Sequence, residues 1–194
     1  MNIPLLDNGV RIKTLTKDDV ADIKKLNEAN NWTHVWDKFG DSPANPNTDV
    51  QYLGIYNFAN ELIGYIAYSS IEDSTGMIHL VLVDKGYRND GVAEFLIDSV
   101  EVSMIENGMA RSSLLVRESN KEAIDNYYKQ GYFQNDRIDG YYADGENAFL
   151  MVKELDKKEK LKRSRKYGRK RKIKEQNAED KTSVLSIEKR SVSV

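Results

Sequence analysis

Short runs in which apolar and polar residues alternate recur along the chain, separated by segments where apolar residues return every three or four positions. Alternation is typical of half-buried strands, and the longer spacing is typical of amphipathic helices. Alternating or β-rich runs predict strands over 9–15, 50–58, 62–70, 112–117, 132–138 and 148–155, and a nearly continuous apolar run predicts a further strand over 77–83. The helical spacing predicts one helix after the N-cap residue Thr16 and others over 91–106 and 120–130.

Three segments say more about how these elements are arranged. Ala59, Asn60 and Glu61 join two strand-like runs, which predicts a hairpin with a tight turn. The run 77–83 is apolar almost throughout and is therefore expected to be a central strand. The aromatic, turn-rich segment 30–49 is expected to form a short helix and a loop. The resulting order of elements predicts an α/β domain with a sheet of about seven strands and helices on both faces.

The C-terminal part of the chain lacks the apolar positions that a core needs. Lys and Arg dominate 153–174, and 180–194 mixes Ser, Val and Lys without a packing pattern. We expect a folded domain over 1–155, followed by a basic tail over 156–194 that is disordered or folds only on a partner.

Charge divides the chain in the same place. Residues 1–152 carry 13 Lys and Arg against 24 Asp and Glu, which leaves −11, whereas residues 153–194 carry 16 against 7, which leaves +9. An acidic body favours a cationic substrate, and a basic tail favours phosphate-bearing partners such as nucleic acid or the ribosome. Solvated surface charge without a partner explains the same pattern.

Composition excludes several classes of chemistry. The chain has no cysteine, so disulfides, thiolate zinc sites and a cysteine nucleophile are excluded. With His34 and His79 as the two histidines, no metal site is expected. Neither a signal peptide nor a membrane span is predicted, and we expect a cytoplasmic protein.

The segment after the central strand has the pattern of a phosphate-binding turn. Residues 88–93 read Arg-Asn-Asp-Gly-Val-Ala and lead from a buried strand into a helix. Backbone N–H groups and the helix start can converge there on a pyrophosphate, and Gly91 and Ala93 leave room for its approach. An ordinary strand-to-helix turn has the same spacing, so this motif alone decides nothing.

A second motif identifies the family that the sequence resembles. The turn is similar to the acetyl-CoA motif of the GNAT superfamily, and 119–132 (SNKEAIDNYYKQGY) resembles that superfamily's second signature, with Tyr132 for the usual Phe. Residues 114–120 and 140–148 look like segments of protein N-terminal acetyltransferases, including the ribosomal-protein alanine type. The resemblance covers about 9–155 and implies the GNAT fold, in which the mixed central sheet is mostly antiparallel.

The resemblance also implies roles for individual residues. Tyr127 would protonate the departing thiol, and Tyr141 and Tyr142 would line the entrance for the acceptor amine. Asn89 and Asp90 depart from the family pattern, in which these positions mostly carry Arg, Lys or Gly, so Asp90 would bring a negative charge near a bound diphosphate. Acetyl-CoA would be held by Leu82, Val83, Arg88, Asn89, Asp90, Gly91, Val92, Ala93 and Asn120.

The sequence does not identify the general base. Relatives carry Glu at the positions of Leu115 or Met77, and both residues are apolar here. His79 has the strand parity of Met77, and an imidazole titrates near neutral pH, which makes His79 a candidate. Glu118 and the two tyrosine hydroxyls of 141–142 are further candidates that would act through water.

Three functions remain in competition. The first is acetylation of a protein or peptide N-terminal α-amine, with the basic tail holding the enzyme near ribosomes or nucleic acid. The second is acetylation of a small amine such as a polyamine, an amino acid or an aminoglycoside. The third is a GNAT-shaped module that binds acyl-CoA or a partner without turnover. A monomer and a homodimer are equally compatible with the sequence.

Overall fold

A computed structural model of the chain describes residues 10–32, 49–72 and 74–156. The strands are β1 Arg11–Thr14, β2 Gln51–Tyr56, β3 Leu62–Glu72, β4 Thr75–Val83, β5 Arg111–Arg117, β6 Phe133–Ile138 and β7 Ala148–Glu154. The helices are α1 Val20–Ala29, α2 Val92–Glu106 and α3 Lys121–Lys129, with 3₁₀ turns at Lys17–Asp19 and Lys85–Tyr87. The helix and loop expected within 33–48 and the basic tail from 157 onward lie outside the described residues.

The seven strands form one sheet in the order β1-β2-β3-β4-β5-β7-β6. All neighbours are antiparallel except β4 and β5, which run parallel. Parallel neighbours need a crossover, and α2 supplies it between these two strands. The predicted α/β class and the mostly antiparallel seven-stranded sheet are therefore confirmed.

The two faces of the sheet bury different helices. Ile66 belongs to a core cluster with the α2 residues Leu96 and Val100, whereas its neighbour Tyr65 packs in a second cluster with Ile23 of α1. Successive residues of a strand point to opposite faces, so β3 separates the two clusters. Helices on both faces follow from this alternation, as predicted.

The entry to α1 is held by a capping box. Thr16 and Asp19 exchange side-chain and backbone hydrogen bonds around the 3₁₀ turn, and Lys13 forms an ion pair with Asp19 at 2.6 Å. The Tyr56 hydroxyl of β2 also donates to Asp19, at 3.1 Å. The predicted cap at Thr16 is correct, although the turn that it caps is 3₁₀ and α1 begins at Val20.

A bulge in β4 determines what the strand presents beyond its middle. Ala67 of β3 pairs with Leu80 and Tyr68 pairs with Ile78, which leaves His79 as the extra residue. Ile78 packs in the cluster of α2, while Leu80 packs in the cluster of α1. The bulge therefore changes the parity of β4 and re-aims the residues that follow it.

Candidate active site

The site is centred on an edge of β4 that its neighbour leaves uncovered. The β4–β5 ladder runs from Thr75 opposite Arg111 to Ile78 opposite Leu114 and goes no further. From Leu115 onward β5 pairs with β7 alone, so the two parallel strands part at the bulge. Among the described residues, no strand pairs with the second half of β4 on the side that β5 covers earlier.

Hydrogen-bond alternation shows which main-chain groups face this opening. The amide of Asp84 donates to the Ile63 carbonyl of β3 at 2.9 Å. In an antiparallel pair the groups that face the partner alternate, so Leu82 bonds toward β3 while Val81 and Val83 face the open edge. Leu82 and Val83 were both predicted to hold acetyl-CoA, and the alternation places the Val83 amide on the open side and directs the Leu82 amide toward β3.

The predicted phosphate turn has the backbone geometry that such a turn needs. Asn89 and Gly91 both have left-handed backbone conformations, with φ of 66° and 77°. Gly91 is the N-cap of α2, and no side chain caps the helix. The first-turn N–H groups at Val92 and Ala93 thus lack a capping side chain, and such groups together with the helix dipole favour an anion.

Asn30, at the end of α1, fastens this turn. Its side-chain amide donates to Leu26 O at 2.9 Å and to Asp84 Oδ2 at 3.3 Å. Its oxygen accepts from the Lys85 amide at 3.1 Å and from Arg88 Nη2 at 3.4 Å. Asn30 is buried, and it was not identified from the sequence, because its partners in the turn lie more than 50 residues away. This residue ties the first helix to the turn.

Arg88 also has a structural part in the turn. Its Nε donates to the Val83 carbonyl at 3.3 Å, and its guanidinium reaches Asn30. Both bonds hold the turn against the end of β4. Arg88 was predicted to bind the cofactor, and its side chain forms hydrogen bonds within the protein, to Val83 and Asn30. The Asp90 side chain, half-buried, makes none of these contacts.

Tyr127 lies on α3 and packs partly buried against the core cluster of α2. Its ring makes an edge contact with Tyr132, with centroids 5.9 Å apart and planes 61° apart. Burial, and to a smaller extent the nearby Tyr142, raises the pKa of Tyr127 to about 12. The hydroxyl therefore keeps its proton at neutral pH. Its neighbour Tyr128 is exposed.

His79 stands at the bulge, where β4 leaves β5. Its Nε2 lies 2.8 Å from the hydroxyl of Ser69, a buried residue of β3. The imidazole itself is half-buried. Ser69 was not singled out from the sequence, because a serine in a strand carries no signal until the register places it beside a histidine.

Two other residues predicted for the site form side-chain hydrogen bonds within the protein. The Asn120 side chain caps α3 by accepting from the Ala123 amide at 3.2 Å. Glu118 accepts from Arg137 Nη2 at 2.9 Å and from Asn147 at 2.8 Å. These bonds, Arg137 first, lower the pKa of Glu118 and make its carboxylate a weak proton acceptor.

Tyr141 and Tyr142 lie in the loop 139–147, between β6 and β7, which we call the acceptor loop. Their rings meet edge to face, with centroids 5.1 Å apart. Tyr141 is 47% exposed, while Tyr142 lies under the guanidinium of Arg117. An exposed aromatic next to a held one is suited to contact a flexible ligand.

Among the residues that the structure describes, no group of His, Asp or Glu side chains has the arrangement of a metal site. In the same part of the chain, none of the helices has the length and apolarity to cross a membrane.

The two parallel strands part beside an uncapped helix start, and such a helix start is suited to bind a phosphate group. A protein-family model described as the Acetyltransferase (GNAT) family matches residues 19–132. The chain belongs to this family. The predicted family and the predicted class of enzyme, an acetyl-CoA-dependent acetyltransferase, are confirmed.

One curated relative is an N-alpha-acetyltransferase of Saccharolobus solfataricus. It is 33% identical over 125 residues, which cover 55% of this chain and 75% of the relative. A second relative is an N-alpha-acetyltransferase of Caenorhabditis elegans, which is 34% identical over 102 residues. The match covers 50% of this chain and 56% of the relative, so the chain spans about half the length of that protein.

The solved structures that share this fold include acetyltransferases named for different acceptors, such as a ribosomal protein and spermidine or spermine. The ribosomal-protein-S18-alanine N-acetyltransferase from Escherichia coli superposes with a TM-score of 0.65 at 19% identity, over 76% of this chain and 95% of that one. At an identity this low, the structural similarity supports the fold alone. The acceptor of the acetyl group therefore needs a separate argument.

Proposed function

We propose that the protein transfers the acetyl group of acetyl-CoA to the N-terminal α-amine of a protein or peptide. The observation that carries the proposal is the open edge of β4, which lies between a turn suited to phosphate and a strand that ends beside an aromatic loop. The N-alpha-acetyltransferase relative, matched over 75% of its length, supports an α-amine as the acceptor.

The cofactor site is assigned to the main chain. Acetyl-CoA supplies the acetyl group when bound. The amides of Val92 and Ala93, at the uncapped start of α2, would hold the diphosphate, and the left-handed Asn89 and Gly91 open the turn toward it. The Val83 amide, on the open edge, would orient the acyl carbonyl. Leu82, Arg88 and Asn120 are assigned to shaping the site, from the contacts described above, and Asp90 is assigned to the turn by its position alone.

Tyr127 is assigned the role of donor to the leaving sulfur. A thiol has an unperturbed pKa of about 8.5, so full transfer from a phenol with a pKa of about 12 is uphill. Its hydroxyl therefore acts chiefly as a hydrogen-bond donor that stabilises the developing thiolate. Replacing Tyr127 with Phe should lower kcat about 100-fold while leaving the affinity for acetyl-CoA nearly unchanged. Equal turnover would remove Tyr127 from the mechanism.

His79 is assigned as the proton acceptor for the attacking amine. Ser69 holds Nε2 of the ring, which orients the imidazole at the point where the strands part. The variant His79→Gln should lower kcat without changing the KM for acetyl-CoA. If His79→Gln turns over at the wild-type rate, the proton acceptor is a different group.

The decisive experiment separates the acceptor classes. The full chain is incubated with acetyl-CoA, and thiol release is followed with two panels: peptides that have a free α-amine, and small amines that include polyamines, amino acids and aminoglycosides. Matched peptides with a blocked N-terminus and an internal lysine are the controls. Acetylation confined to free α-amines supports the proposal. Turnover of small amines alone would favour the second function, and no thiol release with any amine would favour a binding module.

The basic tail, residues 156–194, is proposed as a separate segment that holds the enzyme near phosphate-rich partners such as ribosomes, in the cytoplasm. Its +9 charge over 153–194 supports this role, because phosphate contacts dominate nucleic-acid affinity. Truncation after Leu155 should abolish salt-sensitive RNA binding and leave peptide turnover intact. Full RNA affinity in the truncated chain would contradict the proposal.

A further inference from the structure

We propose that Arg117, the last residue of β5, is a positioning residue for acceptor binding. It holds the acceptor loop in the conformation that presents Tyr141 and Tyr142. This inference rests on the proposed function, because it assumes that the loop lines the acceptor entrance. Arg117 lies in the segment 114–120, to which the sequence assigned no role for this residue, and its role follows from the contacts around its guanidinium.

The guanidinium of Arg117 makes three contacts with one loop. Its Nη1 lies 2.8 Å from Asp144 Oδ2 and 2.5 Å from Glu146 Oε2. Its Cζ lies 3.9 Å from the centre of the Tyr142 ring. A planar guanidinium can donate in its plane to carboxylates while its face covers an aromatic ring, whereas an ammonium cannot make both contacts in this geometry.

The loop is folded so that these carboxylates turn back toward Arg117. The Tyr142 amide donates to Glu146 O at 3.0 Å, and the Gly145 amide donates to Tyr142 O at 2.8 Å. Gly145 has a φ of 84°, which favours glycine at this position. The Glu146 amide donates to Asp144 Oδ1 at 3.2 Å. The tight turn and the arginine thus support one conformation.

The same contacts join the loop to the start of α3. The Ser119 amide donates to Glu146 Oε1 at 2.9 Å, and the Glu118 amide donates to Asn147 O at 3.1 Å. Asn147 Oδ1 in turn accepts from the Gly140 amide at 2.9 Å. Since α3 carries Tyr127, the loop is held in register with the proposed donor to the leaving group.

Holding the acceptor loop in one conformation before the acceptor arrives affects acceptor binding more than it affects acetyl-CoA binding or the chemical step. A loop that is ordered before binding loses less entropy when the ligand arrives, so the acceptor binds more tightly. The phosphate turn is fastened separately by Asn30, at the other end of the site. Loss of the Arg117 contacts should therefore raise the KM for the acceptor and leave the KM for acetyl-CoA unchanged.

The test compares two arginines of the same strand. Arg117→Met keeps the length of the side chain and removes the guanidinium, and Arg117→Lys restores the charge alone. Arg111→Met is the matched control, because Arg111 at the opposite end of β5 makes an exposed ion pair with Glu154 at 2.9 Å. We expect Arg117→Met to raise the KM for a free-α-amine peptide about tenfold, with kcat and the KM for acetyl-CoA within about twofold. The Lys variant should recover only part of the loss, and Arg111→Met should match the wild type.

Two further measurements separate this inference from the function on which it rests. Amide hydrogen exchange at Tyr142 and Gly145, without any substrate, should be faster in Arg117→Met. Tyr141→Ala should raise the KM for the peptide if the loop lines the entrance. An unchanged KM in Tyr141→Ala would overturn the proposed entrance. A raised KM in Tyr141→Ala with an unchanged KM in Arg117→Met would overturn the role of Arg117 alone, and so would equal changes in the KM values for both substrates.

Discussion

The ladder between β5 and β7 ends in two clusters of charged and polar residues that differ in burial. At one end, where Ser112 pairs with Lys153, the Glu101 carboxylate accepts from Lys153 Nζ at 2.8 Å and from the Tyr132 hydroxyl at 2.9 Å. At the other end, Arg117 meets the carboxylates of the acceptor loop. Glu101 is fully buried, whereas the groups around Arg117 contact water.

The comparison shows that similar bonds have different consequences. Removing one partner of a buried ion pair leaves an uncompensated charge in the core, which is costly. Removing one partner of an exposed pair costs little, because water replaces it. The buried cluster therefore contributes to the stability of the fold, and the exposed cluster contributes to the conformation of a loop. Four changes test this contrast.

The largest effect is expected from Lys153→Met. The substitution leaves the buried Glu101 carboxylate without its cation, so the free energy of unfolding should fall by about 3–5 kcal/mol. Denaturant unfolding measures it. The double variant Glu101→Gln with Lys153→Met should recover part of the loss, because no charge is then left unpaired. A loss below about 1 kcal/mol would contradict the assignment.

A smaller loss is expected from Tyr132→Phe. The ring and its contact with Tyr127 remain, but the hydroxyl that bonds Glu101 and lies 2.7 Å from Ser112 Oγ is removed. The free energy of unfolding should fall by about 1–3 kcal/mol. Tyr128→Phe is the matched control, since Tyr128 is exposed on the same helix as Tyr127, and it should not change stability. Equal stabilities of the two variants would place the hydroxyl of Tyr132 outside the cluster.

Arg117→Met should change stability by only about 0–1 kcal/mol, although it removes two ion pairs. Thermal and denaturant unfolding, compared with Arg111→Met, measure the difference. The two variants should be alike in stability and differ only in acceptor KM. A loss as large as that of Lys153→Met would show that burial does not distinguish the two ends.

The smallest effect is expected from acid. The backbone bond from Glu146, and then Arg117, lower the pKa of Asp144, while Ser119 and Arg117 lower the pKa of Glu146. Carboxylates with lowered pKa values stabilise the folded loop above their unfolded values, about 4, and lose this contribution as the pH falls through the folded values. Amide exchange at Tyr142, corrected for its intrinsic pH dependence, should show more opening below about pH 4 than at pH 6. Equal protection at both pH values would mean that the ion pairs do not hold the loop.

Much of the fold could be predicted because its signals are local. The alternation in 62–70, the apolar run 77–83 and the glycine at 91 were sufficient to place β3, β4 and the start of α2 to within a few residues. The family motif identified Tyr127 and the turn before α2. The bulge at His79 has no local signal, because it is a difference in length between two paired strands.

Strands, helices, the turn suited to phosphate and the division of charge along the chain could all be predicted from neighbouring residues. The contacts of Asn30 with the turn, of Ser69 with His79 and of Arg117 with Tyr142 became visible only in the folded chain. These contacts join residues separated by 10 to 58 positions. Their partners are chosen by strand register and helix packing, which a periodic pattern does not encode.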